Sequence, residues 1–456
     1  MSTLLQTDPL SKSIHSIDDL RGYFQMFAKP VDQARIGIEC EVFGVHAETG
    51  EALPYSGLIG IERVLDEMAY EFGYEVVREH NRTIALHRGG TVISLEPGGQ
   101  VELSAEPVEH IHQVKAQLDE FLFELRTITH FIKPITWITS GIHPFSSLRK
   151  IEWVPKKRYQ IMARYLGQRG KKAHDMMKRT ATDQVNLDYH SEEDAIEKMR
   201  LSFAITPFAA AMFANSSISL GKVNGFASER LNIWRHTDPE RAGLILNLIC
   251  ESCSFQDYLN YVLDVPMMFL VRGSEWIMTR SLTFRKFIEK GYRGLRPTQS
   301  DFELHLSTIF TDARFKQYLE IRGMDGQRSH LIPAVSAFWK GILYDAEARK
   351  SACRLLRRFR EGDLKKLHCA VERLGLHAKI RGQRVLDLAK ELVRISERGL
   401  SAQEFLNEKG QDEAIYLAPL KEEILKTGKA PAEQAVELWN GMFKRDRRAL
   451  IDYLKI

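Results

Sequence analysis

Two glutamates separated by one residue, Glu39 and Glu41, are the strongest chemical signal in this sequence. The residues around them alternate with the period of a β-strand, so Ile38 and Cys40 lie on one face and both carboxylates on the other. A single pair of this kind is most often a solvated strand edge. The same arrangement recurs in two later segments, and the recurrence favours a shared acidic surface.

The two later segments also place acidic side chains opposite apolar ones. Glu102 alternates with Val101 and Leu103, and Glu320 and Arg322 share one face of a third short strand. Clustered carboxylates raise one another's pKa unless a cation neutralises them, and their hard oxygen atoms suit Mg²⁺. The pattern therefore predicts a sheet whose concave face is acidic, in a metal-dependent enzyme.

The bulk composition is that of an ordinary globular protein. The chain has 456 residues, of which 44% are hydrophobic and 27% charged, with a formal net charge of +4. This excess of positive charge is too small to indicate a nucleic-acid partner. Five cysteines without a disulfide-like spacing favour a reducing compartment. With no apolar leader and no long apolar run, we expect a cytoplasmic enzyme that acts on small molecules and does not bind membranes.

The order of predicted elements suggests a mixed core followed by helices. Residues 16–27 read as a short amphipathic helix, and a capping box at Ser191 predicts a longer helix to about Asn215, interrupted or kinked near Pro207. From about residue 338 the pattern is almost wholly helical. We therefore predict a catalytic core over residues 1–345 and a helical C-terminal subdomain over 346–456, the two being separate or one continuous domain.

Eight short segments in a fixed order carry a resemblance to a known family. They include GIECEVFG, SLEPGGQVELS, QVNLD, RLNIW and YLEIRG, and they lie at residues 37–44, 94–104, 184–188, 213–216, 230–234, 263–267, 318–323 and 338–341. Together they resemble glutamate–cysteine ligase of the plant and proteobacterial type. The match runs from about residue 16 to residue 346 and continues more loosely to the C-terminus.

The resemblance implies both a fold and a reaction. The fold is α+β, with a curved, mainly antiparallel, funnel-like sheet flanked by helices, as in the catalytic domain of glutamine synthetase. In the reaction, ATP phosphorylates the γ-carboxylate of glutamate, and the amine of cysteine attacks the acyl phosphate. ATP and Mg²⁺ are the implied cofactors. The positions that resemble the family's metal ligands are Glu39, Glu41, Glu96, Glu102, Gln184 and Glu320.

The resemblance also assigns substrate-binding roles. Arg322 suits the transferring phosphate, while Arg230 and Trp234 match the family's glutamate-binding pair. Arg179 is a second candidate for contact with the nucleotide. Met268 stands where the plant-type pattern has a tyrosine beside the substrates. Without that hydroxyl group, the resemblance does not determine which acceptor the pocket binds.

Three other functions are consistent with the same residues. The chain could join glutamate to a different amine, as the departure at Met268 suggests, or it could transfer phosphate to a guanidino group. It could also be a degenerate, non-catalytic protein that binds glutamate or a nucleotide, although retention of all five glutamates argues against this. For the oligomeric state, the expectation is a monomer or a homodimer.

Overall fold

The computed structural model describes residues 12–249 and 252–456. Strands and helices are mixed along the chain, as the sequence predicts. The strands are β1 (Ile36–His46), β2 (Glu75–Glu79), β3 (Arg82–Arg88), β4 (Thr91–Leu95), β5 (Val101–Ser104), β6 (Ile135–Ile138), β7 (Asp183–Leu187), β8 (Ile218–Ser219), β9 (Lys222–Val223), β10 (Ala242–Gly243), β11 (Phe269–Arg272), β12 (Glu275–Met278), β13 (Phe310–Thr311), β14 (Ala313–Phe315), β15 (Leu319–Ile321), β16 (Lys379–Ile380) and β17 (Gln383–Arg384).

The helices surround these strands and dominate the last quarter of the chain. They are α1 (Ile61–Phe72), α2 (Ile111–Phe131), α3 (Lys157–Leu166), α4 (Ala173–Arg179), α5 (Glu192–Met212), α6 (Glu229–Arg235), α7 (Phe255–Asp264), α8 (Phe284–Lys290), α9 (Gln299–Leu306), α10 (Ile332–Leu343), α11 (Ala346–Leu356), α12 (Glu361–Leu374), α13 (Val385–Ala402), α14 (Pro431–Asn440) and α15 (Arg447–Leu454).

One large antiparallel sheet organises the fold. Within the described residues it has nine strands, in the order β14-β15-β7-β1-β5-β4-β3-β2, and β6 pairs with the second half of β1. All its pairings are antiparallel, and the two ends do not meet, so the sheet stays open. The expected α+β fold with a mainly antiparallel sheet is confirmed.

The central strand β1 is buried on both faces, for different reasons. Its apolar face, with Ile38 and Cys40, joins the hydrophobic core, and helices α2 and α10 pack against this strand. Its other face carries Glu39 and Glu41, which lie under a polar cavity. The alternation of β1 therefore separates the core of the protein from the candidate site.

Two predicted helices differ from those observed. In place of one helix over residues 16–27, the chain forms two 3₁₀ turns, Ile17–Leu20 and Gln25–Phe27. Helix α5 is not interrupted by Pro207, and it ends at Met212 rather than near Asn215. Helix α5 packs against α11, α12 and α13, and the residues around Pro207 are buried, so packing maintains the helix despite the hydrogen bond that proline cannot make.

The C-terminal helices share the core of the rest of the chain. Leu367 of α12 and Leu392 of α13 belong to the same hydrophobic cluster as the strands of the large sheet. Helix α13 packs against α10 and α5, so the contact across residue 345 is extensive. The boundary at this residue stays a prediction.

Helix α12 also supports the chain near the candidate site. The Glu372 carbonyl oxygen accepts hydrogen bonds from the backbone N–H groups of Ala227 and Ser228, both at 2.9 Å, just before α6. On the preceding turn, His368 Nε2 donates to Asp312 Oδ2 at 2.8 Å, and the Asp312 carbonyl accepts from Arg322 N. Helix α12 thus fixes two segments that carry predicted site residues.

Candidate active site

A polar cavity covers the acidic face of the large sheet, and the strand register gathers the predicted carboxylates beneath it. Glu41 pairs directly with Glu102 on β5, and Glu39 pairs with Gln184 on β7. Directly paired residues on antiparallel strands project to the same face. All four side chains line the cavity, together with Glu96 from the turn between β4 and β5.

Burial and mutual repulsion perturb these carboxyl groups. Burial first, and then the neighbouring Glu96 and Glu102, raise the pKa of Glu41 well above its usual value. Burial likewise raises the pKa of Glu39 and of Glu102. The neutral partners of Glu102 are the hydroxyls of Ser94 and Ser104, each donating at 3.1 Å. Within the described part of the chain, none of these cavity-lining glutamates forms an ion pair, so the site favours a cation.

The carboxylates of Glu39, Glu41, Glu96 and Glu102 are too far apart in this structure to coordinate one metal ion together. Among residues 12–249 and 252–456, no three acidic, histidine or cysteine side chains are grouped closely enough to hold a metal ion. Carboxylates of equal charge repel one another, which favours separated positions. A cation bound here would have to draw them together.

Glu320 lies apart from these four glutamates. Its side chain is fully buried and does not line the cavity, because three cations surround it. Arg314 pairs with it at 2.5 Å, and Lys316 and Arg322 pair with it at 2.7 Å. Although burial opposes ionisation, these three charges together hold the pKa of Glu320 well below its usual value. Its carboxylate therefore already has three cationic partners, and a role of Glu320 as a metal ligand stays a prediction.

Arg322 connects this charge cluster to the cavity. Its Nη1 donates both to Glu320 Oε2 at 2.7 Å and to Gln184 Oε1 at 2.6 Å. The guanidinium carbon also lies 5.6 Å from the ring centre of Trp234. Arg322 lines the cavity with its orientation fixed on two sides, as a group that stabilises developing negative charge requires.

Arg230 and Trp234 lie on one face of the short helix α6, at the side of the cavity. The N-cap residue Ser228 accepts from Leu231 N and donates to Asp325 Oδ1, so the start of the helix is held firmly. Arg230 Nη2 donates to the Arg322 carbonyl, while Arg230 Nε and Trp234 Nε1 are buried and have no hydrogen-bond partner among residues 12–249 and 252–456. Buried donors of this kind usually meet a partner, which points to an anionic or polar ligand.

Two predicted site residues do not reach the cavity. Arg179 donates to Asp175 Oδ1 at 2.7 Å and to Ser219 Oγ, which directs its guanidinium into the protein. Met268 is 1% exposed and belongs to the hydrophobic core. Neither residue lines the cavity, so the structure gives no support to a nucleotide contact by Arg179 or an acceptor contact by Met268.

Four cations of the site were not identified from the sequence: Lys156, Arg158, Arg314 and Lys316 line the cavity. Arg314 alternates with Ala313 and Phe315 on β14, and this period-two pattern could have revealed it. Lys156 and Arg158 come from the start of α3, where no periodic pattern marks the face turned to the site.

A second cavity meets the first at Glu39. It is lined by Gly37 and Asn186 from adjacent strands and also by Lys29 and Tyr318. Glu39 lines both cavities, and Asn186 Nδ2 donates to its carboxylate at 3.2 Å. Two ligands could therefore approach the acidic face from two sides.

Comparison with known proteins assigns the family. The model of glutamate–cysteine ligase family 2 matches residues 35–449, nearly the whole chain. The chain belongs to this family. Glutamate–cysteine ligase B from Oryza sativa subsp. japonica, described as chloroplastic, is 36% identical over 442 residues, covering 96% of this chain and 86% of the relative. The Arabidopsis thaliana relative is also 36% identical and is covered to 81%.

A solved structure agrees with the fold of this ligase family. Glutamate–cysteine ligase from Francisella tularensis, in complex with AMP, aligns with a TM-score of 0.56 and 11% identity over 94% of this chain and 90% of its own. At this identity the likeness concerns the fold alone. Over the described residues, no helix is long and apolar enough to cross a membrane. The plant relatives are described as chloroplastic, so the cytoplasmic location expected from the sequence stays a prediction.

Proposed function

We propose that this protein joins the γ-carboxylate of glutamate to the amine of cysteine, using ATP and giving γ-glutamylcysteine for glutathione synthesis. Membership of glutamate–cysteine ligase family 2 supports this activity. The observation that carries it is a cavity with an acidic strand face on one side and, on the other, Arg230 Nε and Trp234 Nε1, two buried donors that no described residue of the chain satisfies. A ligase that joins two amino acids with ATP needs an acidic surface for a cation that accompanies ATP, and donor groups for the carboxylate of an amino acid.

The acidic face would hold Mg²⁺. Glu39, Glu41, Glu96 and Glu102 offer hard oxygen atoms that no cationic side chain within the described chain neutralises, which fits a divalent cation with ATP phosphates. Bound Mg²⁺ would neutralise charge on the transferring phosphate. Gln184 is a weaker candidate, because its Oε1 already accepts from Arg322. Glu320 serves instead to orient Arg322.

Two cationic residues would bind glutamate and stabilise the negative charge that develops in the reaction. Arg230 would bind the α-carboxylate of glutamate, with Trp234 against the aliphatic stem. Arg322 would stabilise negative charge as the γ-carboxylate oxygen attacks the terminal phosphorus of ATP and ADP leaves. The cysteine amine then attacks the acyl carbon and expels phosphate. The second cavity at Glu39 gives room for the nucleoside.

The activity is tested by product identification. Purified protein with ATP, Mg²⁺, glutamate and cysteine should release ADP and γ-glutamylcysteine, detected by mass spectrometry, and omission of any component should stop ADP release. A panel of other amines tests the alternative that glutamate is joined to a different acceptor. Preferred use of such an amine, or the lack of glutamate-dependent ADP release, would contradict the proposal.

The raised carboxyl pKa values predict that Mg²⁺ binding is linked to pH. Because burial raises the pKa of Glu41 and Glu102, these groups keep protons at pH values where free glutamate side chains have lost them. Mg²⁺ must displace those protons, so its affinity should rise with pH and binding should release protons. Calorimetric titration in two buffers of different ionisation enthalpy measures this release. An affinity that does not change with pH would argue against Mg²⁺ at these residues.

A further inference from the structure

Asp312 is a buried carboxylate close to Arg230, and the steps above give its charge no role. A small cavity adjoins the active-site cavity and shares Arg230, Trp234 and Arg322 with it. Asp312 lines the small cavity and not the active-site cavity. A negative charge of the protein itself therefore lies beside the donors that the proposed function assigns to the carboxylate of glutamate.

Arg230 is the arginine of the small cavity that is open to this charge. Arg322 already pairs with Glu320 at 2.7 Å. Arg230 forms no ion pair in the described part of the chain, and its Nε has no hydrogen-bond partner there. Burial lowers the pKa of the Arg230 guanidinium, and neighbouring negative charges, including that of Asp312, oppose this shift. Arg230 is thus the cation that would attract the Asp312 carboxylate if this side chain could turn.

A hydrogen bond from His368 of α12 fixes the side chain of Asp312. The imidazole Nε2 donates to Asp312 Oδ2 at 2.8 Å, and both side chains are buried. The backbone of Asp312 is fixed separately, because its N–H donates to the Gly243 carbonyl at 3.0 Å and its carbonyl accepts from Arg322 N at 2.9 Å. Within the described part of the chain, His368 is the hydrogen-bond partner of this carboxylate, so the imidazole sets its direction.

Resting on the proposed role of Arg230, we propose that His368 is a positioning residue that keeps the Asp312 carboxylate from competing with glutamate for Arg230. Two carboxylates cannot both take the same charge-assisted hydrogen bonds from one guanidinium. A carboxylate of the protein has an advantage in such a competition, because it does not lose the translational and rotational freedom that a ligand loses on binding. The effect falls on glutamate binding rather than on the chemical steps, since saturating glutamate displaces the competing group.

The test compares two amides in place of the imidazole. In His368→Gln the amide nitrogen can lie near the position of Nε2, whereas in His368→Asn the side chain is one carbon shorter and does not reach Asp312. We expect His368→Asn to raise the KM and Kd for glutamate by roughly five- to fiftyfold, within the range of coupling inside one ion-pair network. Its kcat at saturating glutamate and its KM for ATP should stay nearly unchanged. His368→Gln should keep most of the glutamate affinity.

Removing the charge of Asp312 separates competition from a general structural effect. In the Asp312→Asn background, His368→Asn should weaken glutamate binding by less than about twofold, because no carboxylate of the protein is left to compete. A purely structural role of His368 predicts the same loss in both backgrounds. Equal losses with and without the charge of Asp312 would therefore overturn the proposal, as would a loss in His368→Gln as large as that in His368→Asn.

Two further variants on α12 give the controls. Leu367 is buried beside His368 in the sequence, and Leu367→Ala should lower the melting temperature without changing glutamate affinity. His368→Leu has no donor and should reproduce the loss of His368→Asn, so the comparison does not depend on one variant being folded. A glutamate loss in Leu367→Ala as large as in His368→Asn, or equal weakening of glutamate and ATP binding, would contradict the proposal. Lack of any glutamate-dependent ADP release by the unmodified protein would instead defeat the proposed function.

Discussion

Replacing Glu320 with glutamine is expected to lower the free energy of unfolding by about 3–5 kcal/mol, the cost of removing one partner from a buried ion pair. The substitution would leave Arg314, Lys316 and Arg322 buried without their negative counter-charge. Because the pKa of Glu320 is lowered in the folded protein, its stabilisation is present above the pKa of the unfolded chain and is lost as pH falls. Urea denaturation of both proteins, repeated towards acid pH where their stabilities should converge, measures the effect.

Glu102→Gln is the matched comparison, since it makes the same chemical change in a carboxylate that has no cationic partner among the residues that the structure describes. Burial raises the pKa of Glu102, so its ionisation costs stability, and this cost grows as pH rises from the ordinary pKa of glutamate to that raised value. We expect Glu102→Gln to be as stable as the unmodified protein, or more so, while turnover falls sharply. If Glu320→Gln were fully stable and inactive, Glu320 would be a metal ligand, as the sequence predicts.

Arg230→Lys is expected to weaken glutamate binding by roughly ten- to a hundredfold, or about 1.5–3 kcal/mol. Lysine keeps the charge but loses the planar fork that binds a carboxylate with two parallel hydrogen bonds. Arg230 Nε is buried with no hydrogen-bond partner in the described part of the chain, so the site offers a donor that glutamate can use. The affinity for ATP should barely change, and separate titrations of glutamate and ATP measure the difference.

Arg241→Lys controls for the general effect of altering a buried arginine. Arg241 pairs with Asp238 at 2.7 Å, is fully buried and does not line the cavity. This variant should lose stability without a selective loss of glutamate affinity. Equal weakening of glutamate and ATP binding in Arg230→Lys would mean that Arg230 supports the fold or the nucleotide instead.

The sequence predicts most of the sheet and its acidic face because both are encoded locally. The period of two around Glu39 and Glu41 assigns a strand and a face, and the same rule places Glu102. Because the faces must coincide, only registers that differ by two residues are allowed, and the observed one sets Glu41 opposite Glu102 and Glu39 opposite Gln184. Local alternation therefore predicts the acidic face, and the exact pairing requires the folded structure.

The rest of the site depends on contacts between distant segments. Alternation puts Glu320 on the polar face, but it cannot show that Arg314 and Lys316 neutralise it there. Arg158 reaches the cavity through the packing of α3, which no periodic pattern specifies. Met268 resembles a substrate-pocket position by alignment of motifs, yet its side chain is directed into the core. Side-chain direction and charge pairing between elements require the folded structure.

Helix α12 has a consequence for how the protein responds to heat. Its Glu372 carbonyl accepts hydrogen bonds from the two residues just before α6. Its His368 donates a hydrogen bond to the side chain of Asp312, whose carbonyl accepts one from the backbone N–H of Arg322. Because α12 packs against the buried helix α5 and shares the core of the sheet, it is expected to open together with that core and not before it. Melting of residues 361–374 would therefore release both arginine-bearing segments in the same step that opens the core. Activity should then persist on heating until the cooperative unfolding of the molecule.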